Sequence, residues 1–191
     1  MSAPRPCRER GLGLLEVLVA LVVVSFGVLG MAGLQLTGMK HSSGGFNRTR
    51  ALLLAENMAT RLRINTPDEA LAEVHAVYDG FDSGEDAGAF CAVPPRPYCQ
   101  ASAAGPASRC APAELAAFDL WSVACGDRGD DAAGSRIDEA LPSGRLAVSC
   151  DTSPCRVDST WTIAVEWREG SGVSADPDDV ETRSVRMRLR P

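Results

Sequence analysis

Residues 12–36 read LGLLEVLVALVVVSFGVLGMAGLQL, a run of twenty-five positions whose single charge is Glu16. As a helix rising 1.5 Å per residue this run spans about 37 Å, enough to cross the hydrocarbon of a bilayer. Arg5, Arg8 and Arg10 precede it, and Lys40, His41, Arg48 and Arg50 follow. The short basic leader favours an N-terminus held in the cytoplasm, although Lys40 lies close to the other end and weakens the charge bias. A run this long and apolar is a poor fit to a buried helix of a soluble protein. An ordinary single-pass anchor and a secretory signal, the latter with Gly30-Met31-Ala32 as a weak cleavage site, both accommodate the length. Neither accounts for Glu16, because a carboxylate in hydrocarbon costs a few kcal/mol unless it is protonated or paired.

Gly11 followed by Leu12-Gly13-Leu14-Leu15-Glu16-Val17-Leu18-Val19-Ala20-Leu21 resembles the class III prepilin signal. The resemblance implies a dedicated prepilin peptidase that cuts on the cytoplasmic side between Gly11 and Leu12 and methylates the new amine of Leu12. Glycine suits such a cut because it has no side chain to obstruct it. Glu16 then becomes the fifth mature residue. Leu12 departs from the Phe or Met usual in that family at this position. The spacing has a physical logic. When such helices stack in parallel with a stagger, the carboxylate of one meets the new amine of its neighbour, and the pair is satisfied inside an apolar bundle. Gly27, Gly30 and Gly33 recur every third residue. They fit close helix packing through small residues and equally a helix that can stretch, since each glycine weakens a helix by about 1 kcal/mol relative to alanine.

Outside the anchor the chain is acidic. The full sequence carries 19 Lys+Arg and 25 Asp+Glu, a net charge of −6. Removing residues 1–11 subtracts three arginines and one glutamate, leaving 16 against 24, or −8. That balance disfavours nucleic acid as a partner. Cys7 lies in the leader; Cys91, Cys99, Cys110, Cys125, Cys150 and Cys155 remain. An even set on the far side of an anchor points to disulfides in an oxidising compartment, with a mixture of bridges and free thiols as the alternative. Zinc is the rival chemistry, but no C-x-x-C pair occurs, and no metal or cofactor is expected. Cys150 and Cys155 flank the turn-like Asp151-Thr152-Ser153-Pro154 and are expected to bond to each other. Cys125 is then left for one of Cys91, Cys99 or Cys110, with the other two joined.

Beyond the anchor, Ser42-Ser43-Gly44-Gly45 is the expected weak point of a long helix. Helical periodicity resumes near Phe46, with Leu54, Met58 and Leu62 on one face beside Ala51, Ala55 and Ala59, and Asn65-Thr66-Pro67 ends it. Residues 79–112 are rich in Gly, Pro, Ser and Ala and read as a loop region pinned by bridges. Pro112-Ala113-Glu114 opens a helix to about Ala124, and residues 126–139 read as a polar loop. Then the period changes to two. Leu146, Val148 and Cys150 share a face; so do Trp161, Ile163, Val165 and Trp167; and Val185, Met187 and Leu189 oppose Arg186, Arg188 and Arg190. Three such strands predict an antiparallel sheet with one wet side, its dry side packed on the helix 46–64.

Ala51–Asn65 (ALLLAENMATRLRIN), Asp119-Leu120-Trp121, Leu141-Pro142-Ser143-Gly144 and Trp161-Thr162-Ile163-Ala164-Val165-Glu166-Trp167 resemble the PilV-type minor pilins, the type IV pilus modification protein family. With the leader, the resemblance spans most of the chain. It implies an α+β, pilin-like fold: a long N-terminal helix, the membrane anchor, packed on an antiparallel sheet with disulfide-stapled loops. It divides the chain into a cleaved leader at 1–11, the transmembrane part of the helix at 12–36 and a periplasmic domain at 37–191. It implies an inner-membrane protein that ends near the tip of a pilus, with other minor pilins and the major pilin as partners. A minor pseudopilin of type II secretion shares the leader, but that family is often shorter and poorer in cysteine. An anchored periplasmic binding or enzymatic domain is the alternative of another class.

No catalytic constellation is apparent. His41 and His75 have no nucleophile beside them and read as ordinary surface residues, and there is no G-x-S-x-G elbow. Asp127-Arg128-Gly129-Asp130-Asp131 lacks regular calcium-ligand spacing and reads as a solvated loop, with calcium or adhesion as sharper alternatives. Asp176-Pro177-Asp178-Asp179 reads as a turn. The ridge of Arg186, Arg188 and Arg190 reads as a strand edge that deters aggregation, or as a dock for an acidic neighbour or, as the weaker alternative, DNA.

Overall fold

The computed structural model describes residues 13–65, 71–84, 87–101, 106–126, 136–170 and 180–191. The chain divides into two compact units, Met1–Ser43 and Gly44–Pro191. Helix α1 (Leu14–Ile64) begins in the first unit and ends in the second.

In the first unit every described side chain is exposed, so a continuous apolar surface runs from Leu14 to Met39. Its backbone is satisfied within the helix, as lipid requires of any spanning segment. The two hydroxyls inside the run are likewise closed upon it: Ser25 Oγ donates to Leu21 O at 2.7 Å and Thr37 Oγ1 to Gly33 O at 3.0 Å. This is a helix long and apolar enough, by length and composition, to cross a membrane.

The expected weak point at Ser42-Ser43-Gly44-Gly45 keeps its helical backbone. Helix already formed on both sides removes the nucleation cost, so two glycines weaken the segment without ending it. Gly44 also has a packing role. A Cβ there would lie 3.2 Å from Glu169 Oε1, the same oxygen that accepts a hydrogen bond from Asn47 Nδ2 at 3.1 Å.

The second unit is built on four antiparallel strands in the order β1 (Phe81–Asp82), β2 (Arg145–Cys150), β3 (Trp161–Gly170) and β4 (Val180–Leu189). The alternation seen in sequence sets the register. Leu146 stands opposite Val165, Val148 opposite Ile163, Val165 opposite Val185 and Trp161 opposite Leu189. This dry face meets the stripe Ala51, Ala55, Met58, Ala59 and Leu62 of α1 in one core. Alanines on that stripe keep the helix close to the sheet, while Met58 and Leu62 fill the space beside them.

Four elements were not expected. Helix α2 (Leu71–Tyr78) buries Val74, His75 and Tyr78. Strand β1 and helix α3 (Ala87–Cys91) lie inside 79–112, which is therefore not loop throughout; β1 adds only two rungs, Phe81 to Val148 and Asp82 to Ala147. Helix α5 (Ile137–Ala140) replaces the end of the expected loop at 126–139, whose residues 127–135 lie outside the described residues. Helix α4 (Pro112–Cys125) starts where its proline and glutamate predict: Glu114 Oε2 accepts from Ala111 N at 2.8 Å. Among the described residues three disulfides form, Cys91–Cys125 within the core and Cys99–Cys110 and Cys150–Cys155 at its margin. The first ties α3 to α4, and so decides which cysteine Cys125 takes.

Candidate functional site

The first unit offers a site of one carboxylate on an apolar rod. Glu16 lies in the first turn of α1, where its own N–H reaches Gly13 O at 2.9 Å. Four N–H groups at a helix start have no intrahelical acceptor and create a partial positive charge, so a carboxylate there is favoured on local grounds as well. Glu16 is exposed, and no other charged residue lies between Leu14 and Met39. Any partner that neutralises it inside an apolar bundle must come from elsewhere. Around Gly27, Gly30 and Gly33 nothing lies within 4 Å of where a Cβ would stand, which leaves three shallow notches on the rod for another helix. Gly11 and Leu12, the expected cleavage pair, lie outside the described residues.

The second unit is organised around a buried carboxylate. Asp119, on α4, has a side chain only 7% exposed. Arg61 Nη1, from α1, reaches Asp119 Oδ1 at 2.8 Å, and the Tyr78 hydroxyl, from α2, donates to Asp119 Oδ2 at 2.9 Å. Asn65 Nδ2, at the end of α1, donates to the Tyr78 oxygen at 3.3 Å and to Pro112 O at 3.0 Å. Asn57 Oδ1 accepts from Arg61 Nε at 2.8 Å and fixes the guanidinium. Three helices thus converge on one charge, with both of its oxygens bonded, as a buried charge needs. Burial, and then the neighbouring Asp119 carboxylate, push the Tyr78 phenol well above its ordinary pKa. A neutral phenol is the form that donates to Asp119. The assembly is a pin that fixes α4 and α2 to α1, and nothing in it is placed to react.

A second, exposed pin joins the two shortest strands. Arg145 on β2 grips Asp82 on β1 through two guanidinium nitrogens, Nε to Oδ1 at 2.7 Å and Nη2 to Oδ2, and this hydrogen bonding holds the Asp82 carboxyl below its usual range. Gly84 N adds a bond to Asp82 Oδ1 at 2.9 Å.

His75 is a correction. It is buried in the second unit, edge-on to Trp161 with ring centroids 5.1 Å apart, and its Nε2 has no hydrogen-bond partner among the described residues. The reason is helical spacing: Leu71, Val74, His75 and Tyr78 fall on one side of α2, which carries the histidine inward with its apolar neighbours. The backbone of His41 lies in α1, and its side chain is outside the described residues. Asp79 approaches Cys150 and Cys155 closely enough for a three-ligand group, but the two sulfurs are bonded to each other and hold no thiolate to offer a metal. Asp79 Oδ1 instead accepts from Cys150 N at 3.0 Å. Arg186 and Arg188 are exposed on the wet face of β4, as the alternation requires. The runs Asp127–Asp131 and Asp176–Asp179 lie outside the described residues.

The six cysteines and Glu16 were legible in sequence; the Asp119 pin was not. Asp119 stands 58 positions from Arg61 and 41 from Tyr78, and no local spacing in the sequence links them.

Compared with known proteins, residues 6–32 match the prokaryotic N-terminal methylation motif. No curated protein and no solved structure matches the chain. The motif covers the leader, Glu16 and most of the apolar run, and it supports a type IV pilin- or pseudopilin-like protein, with prepilin peptidase and pilins in general as partners. It points to a structural protein rather than an enzyme, and the apolar helix beside it fits an anchor in the inner membrane.

Proposed function

We propose that this chain is a minor pilin of a type IV pilus, of PilV type, acting in the initiation of the fibre. The observation that carries the reading is the methylation motif at residues 6–32, set on a spanning helix that continues into an α+β domain. In this reading prepilin peptidase cuts between Gly11 and Leu12 and methylates the Leu12 amine. Residues 12–36 hold the protein in the inner membrane as a single pass, and residues 37–191 fold in the periplasm, where the disulfides form. No cofactor takes part.

Initiation is the difficult step of such an assembly, because the first subunits have no neighbours to bury their apolar rods or to satisfy their Glu16 carboxylates. A complex of several different minor pilins supplies both at once. The Leu12 amine of one subunit neutralises Glu16 of the next, and the assembled group then accepts the major pilin and travels outward near the tip.

The test is a deletion strain analysed together with the mature protein. Mass spectrometry should find a chain that begins at N-methylated Leu12. Deletion should sharply reduce surface pili and twitching motility without lowering the major pilin held in the membrane. Normal pili with defective secretion of folded exoproteins would instead assign the chain to a type II secretion pseudopilin.

A further inference from the structure

Strand β4 is an unusual edge. Its ten residues pair with β3 in one unbroken register, from Trp161 opposite Leu189 to Gly170 opposite Val180, with no bulge. It contains no proline or glycine. The sheet ends there, and among the described residues no backbone group of β4 bonds any element other than β3. The opposite edge, β1, is two residues long. Proteins commonly blunt their edges by shortness, proline or a bulge. Here β1 is blunted by shortness, and β4 carries only charge.

At the start of the strand Glu181 and Arg183 occupy the alternate positions and pair with each other at 2.8 Å; from Arg186 onward the charge is of one sign and on one face. Arg186, Arg188 and Arg190 alternate with Met187 and Leu189, so basic side chains line the wet face and apolar ones the core side. Arg186 is 65% exposed and lies 3.5 Å from Glu166 Oε1, a loose pairing. Arg188 makes no ion pair among the described residues, and Arg190 reaches only the Thr160 hydroxyl, at 3.3 Å. Across the ladder Arg186 faces Ala164 and Arg188 faces Thr162, so β3 places no carboxylate directly opposite either. Arg188 is therefore open on the side away from β3, and Arg186 and Arg190 are held toward β3 only by the long contacts to Glu166 and Thr160.

The geometry points to β4 as a docking edge for an extended segment of a partner protein in which acidic and apolar residues alternate. An added strand pairs its backbone with the free rim of β4 about 4.8 Å away, and its side chains repeat on each face about every 6.7 Å, the spacing of the arginines. Acidic residues on the wet face then stand beside Arg186, Arg188 and Arg190. Residues between them extend the apolar face of Met187 and Leu189. The same arginines repel a second β4, so the edge rejects copies of this chain while accepting an acidic strand. Nucleic acid would use the arginines and leave the strand rim unpaired, and is the less complementary ligand. The inference holds whether or not the chain assembles into a pilus.

The test uses the full chain in detergent and the dye-labelled peptide Val-Glu-Val-Glu-Val-Glu-Val-Glu, followed by fluorescence anisotropy. The peptide should bind, and the Val-Lys counterpart and a short DNA duplex should bind at least tenfold more weakly. Two further peptides carry N-methyl groups on alternate backbone nitrogens, one in each phase. One phase should lose at least tenfold in affinity and the other should retain most of it. The double variant Arg186→Gln with Arg188→Gln should bind the parent peptide at least tenfold more weakly at an unchanged melting temperature. Absence of peptide binding, equal binding of both N-methyl phases and the parent, or DNA binding as tight as the peptide would each overturn the proposal. The N-methyl series leaves the protein untouched, so it decides the matter even if the arginine variant folds poorly.

Discussion

Replacing Cys91 and Cys125 together by alanine should destabilise the second unit more than removing either other bridge. A disulfide acts largely by restricting the unfolded chain, and its effect grows with the logarithm of the loop it closes. For separations of 34, 11 and 5 residues the expected losses are about 4, 3 and 2 kcal/mol. Cys91 and Cys125 are also buried, whereas Cys150 and Cys155 are half-exposed, so the alanine pair at 91 and 125 forfeits core contacts as well. For a domain of this size each kcal/mol moves the melting temperature by roughly 2–4 °C, which puts the loss at about 8–16 °C from the loop term alone. The assay is thermal and urea unfolding of the detergent-solubilised chain by circular dichroism, on the three double variants in parallel. A Cys150/Cys155 variant that loses as much as the Cys91/Cys125 variant would refute the loop-closure argument. It would mean that the short hairpin, rather than the long α3–α4 loop, limits the unfolded ensemble.

Asp119→Ala should cost about 2–3 kcal/mol in urea unfolding, below the cost of breaking a fully buried pair because Arg61 is 28% exposed and can turn to solvent; a loss under 0.5 kcal/mol would contradict the pin. Gly144→Ala should cost about 2 kcal/mol or more, since its Cβ would stand 2.2 Å from Ile137 O, a backbone atom of α5 that must move; an unchanged urea midpoint would show that the turn yields freely. Tyr78 stays neutral in the fold while an unfolded tyrosine ionises near pH 10, so its contribution is complete below about pH 10 and falls as pH rises further. Unfolding midpoints from pH 8 to 11 should therefore drop more steeply in the natural chain than in Tyr78→Phe, and parallel curves would be the contrary result. Glu16→Ala should still be cleaved yet incorporate poorly into fibres, as judged by blotting sheared pili; normal incorporation would remove the amine–carboxylate pairing.

The three long strands were legible because one face of each is buried and the period of two survives in Leu146–Val148, Trp161–Trp167 and Val185–Leu189. The α1 stripe was legible for the same reason at a helical period. Strand β1 was not, because two residues, Phe81 and Asp82, hold no period and owe their conformation to β2 beside them. Helix α2 was overlooked although Val74, His75 and Tyr78 sit at helical spacing, since a histidine among them reads as polar until its burial is known. The continuity of α1 through Gly44 and Gly45 depends on what surrounds them, including Glu169, which is far away in sequence. The leader and Glu16 could be read directly because their meaning lies in local spacing. Asp119 could not, since a buried charge is explained by its partners, and Arg61 and Tyr78 are brought to it only by the packing of three helices.

The placement of the core stripe on α1 also governs the order in which the protein can become itself. Ala51, Ala55, Met58 and Leu62 belong to a helix that ends at Ile64, but the strands that cover them begin at Arg145 and finish at Leu189. A ribosome therefore makes the hydrophobic stripe long before its cover. The strands themselves follow one another as a meander and can zip together from neighbouring hairpins, which is fast. The slow closure is the return of that finished sheet to a helix made much earlier. During the interval the stripe is bare, and α2, α3 and α4, which arrive in between, are the segments able to shelter it first. Substitutions that weaken α4 should therefore lower the yield of folded protein in the cell more than its stability, once folded, would suggest.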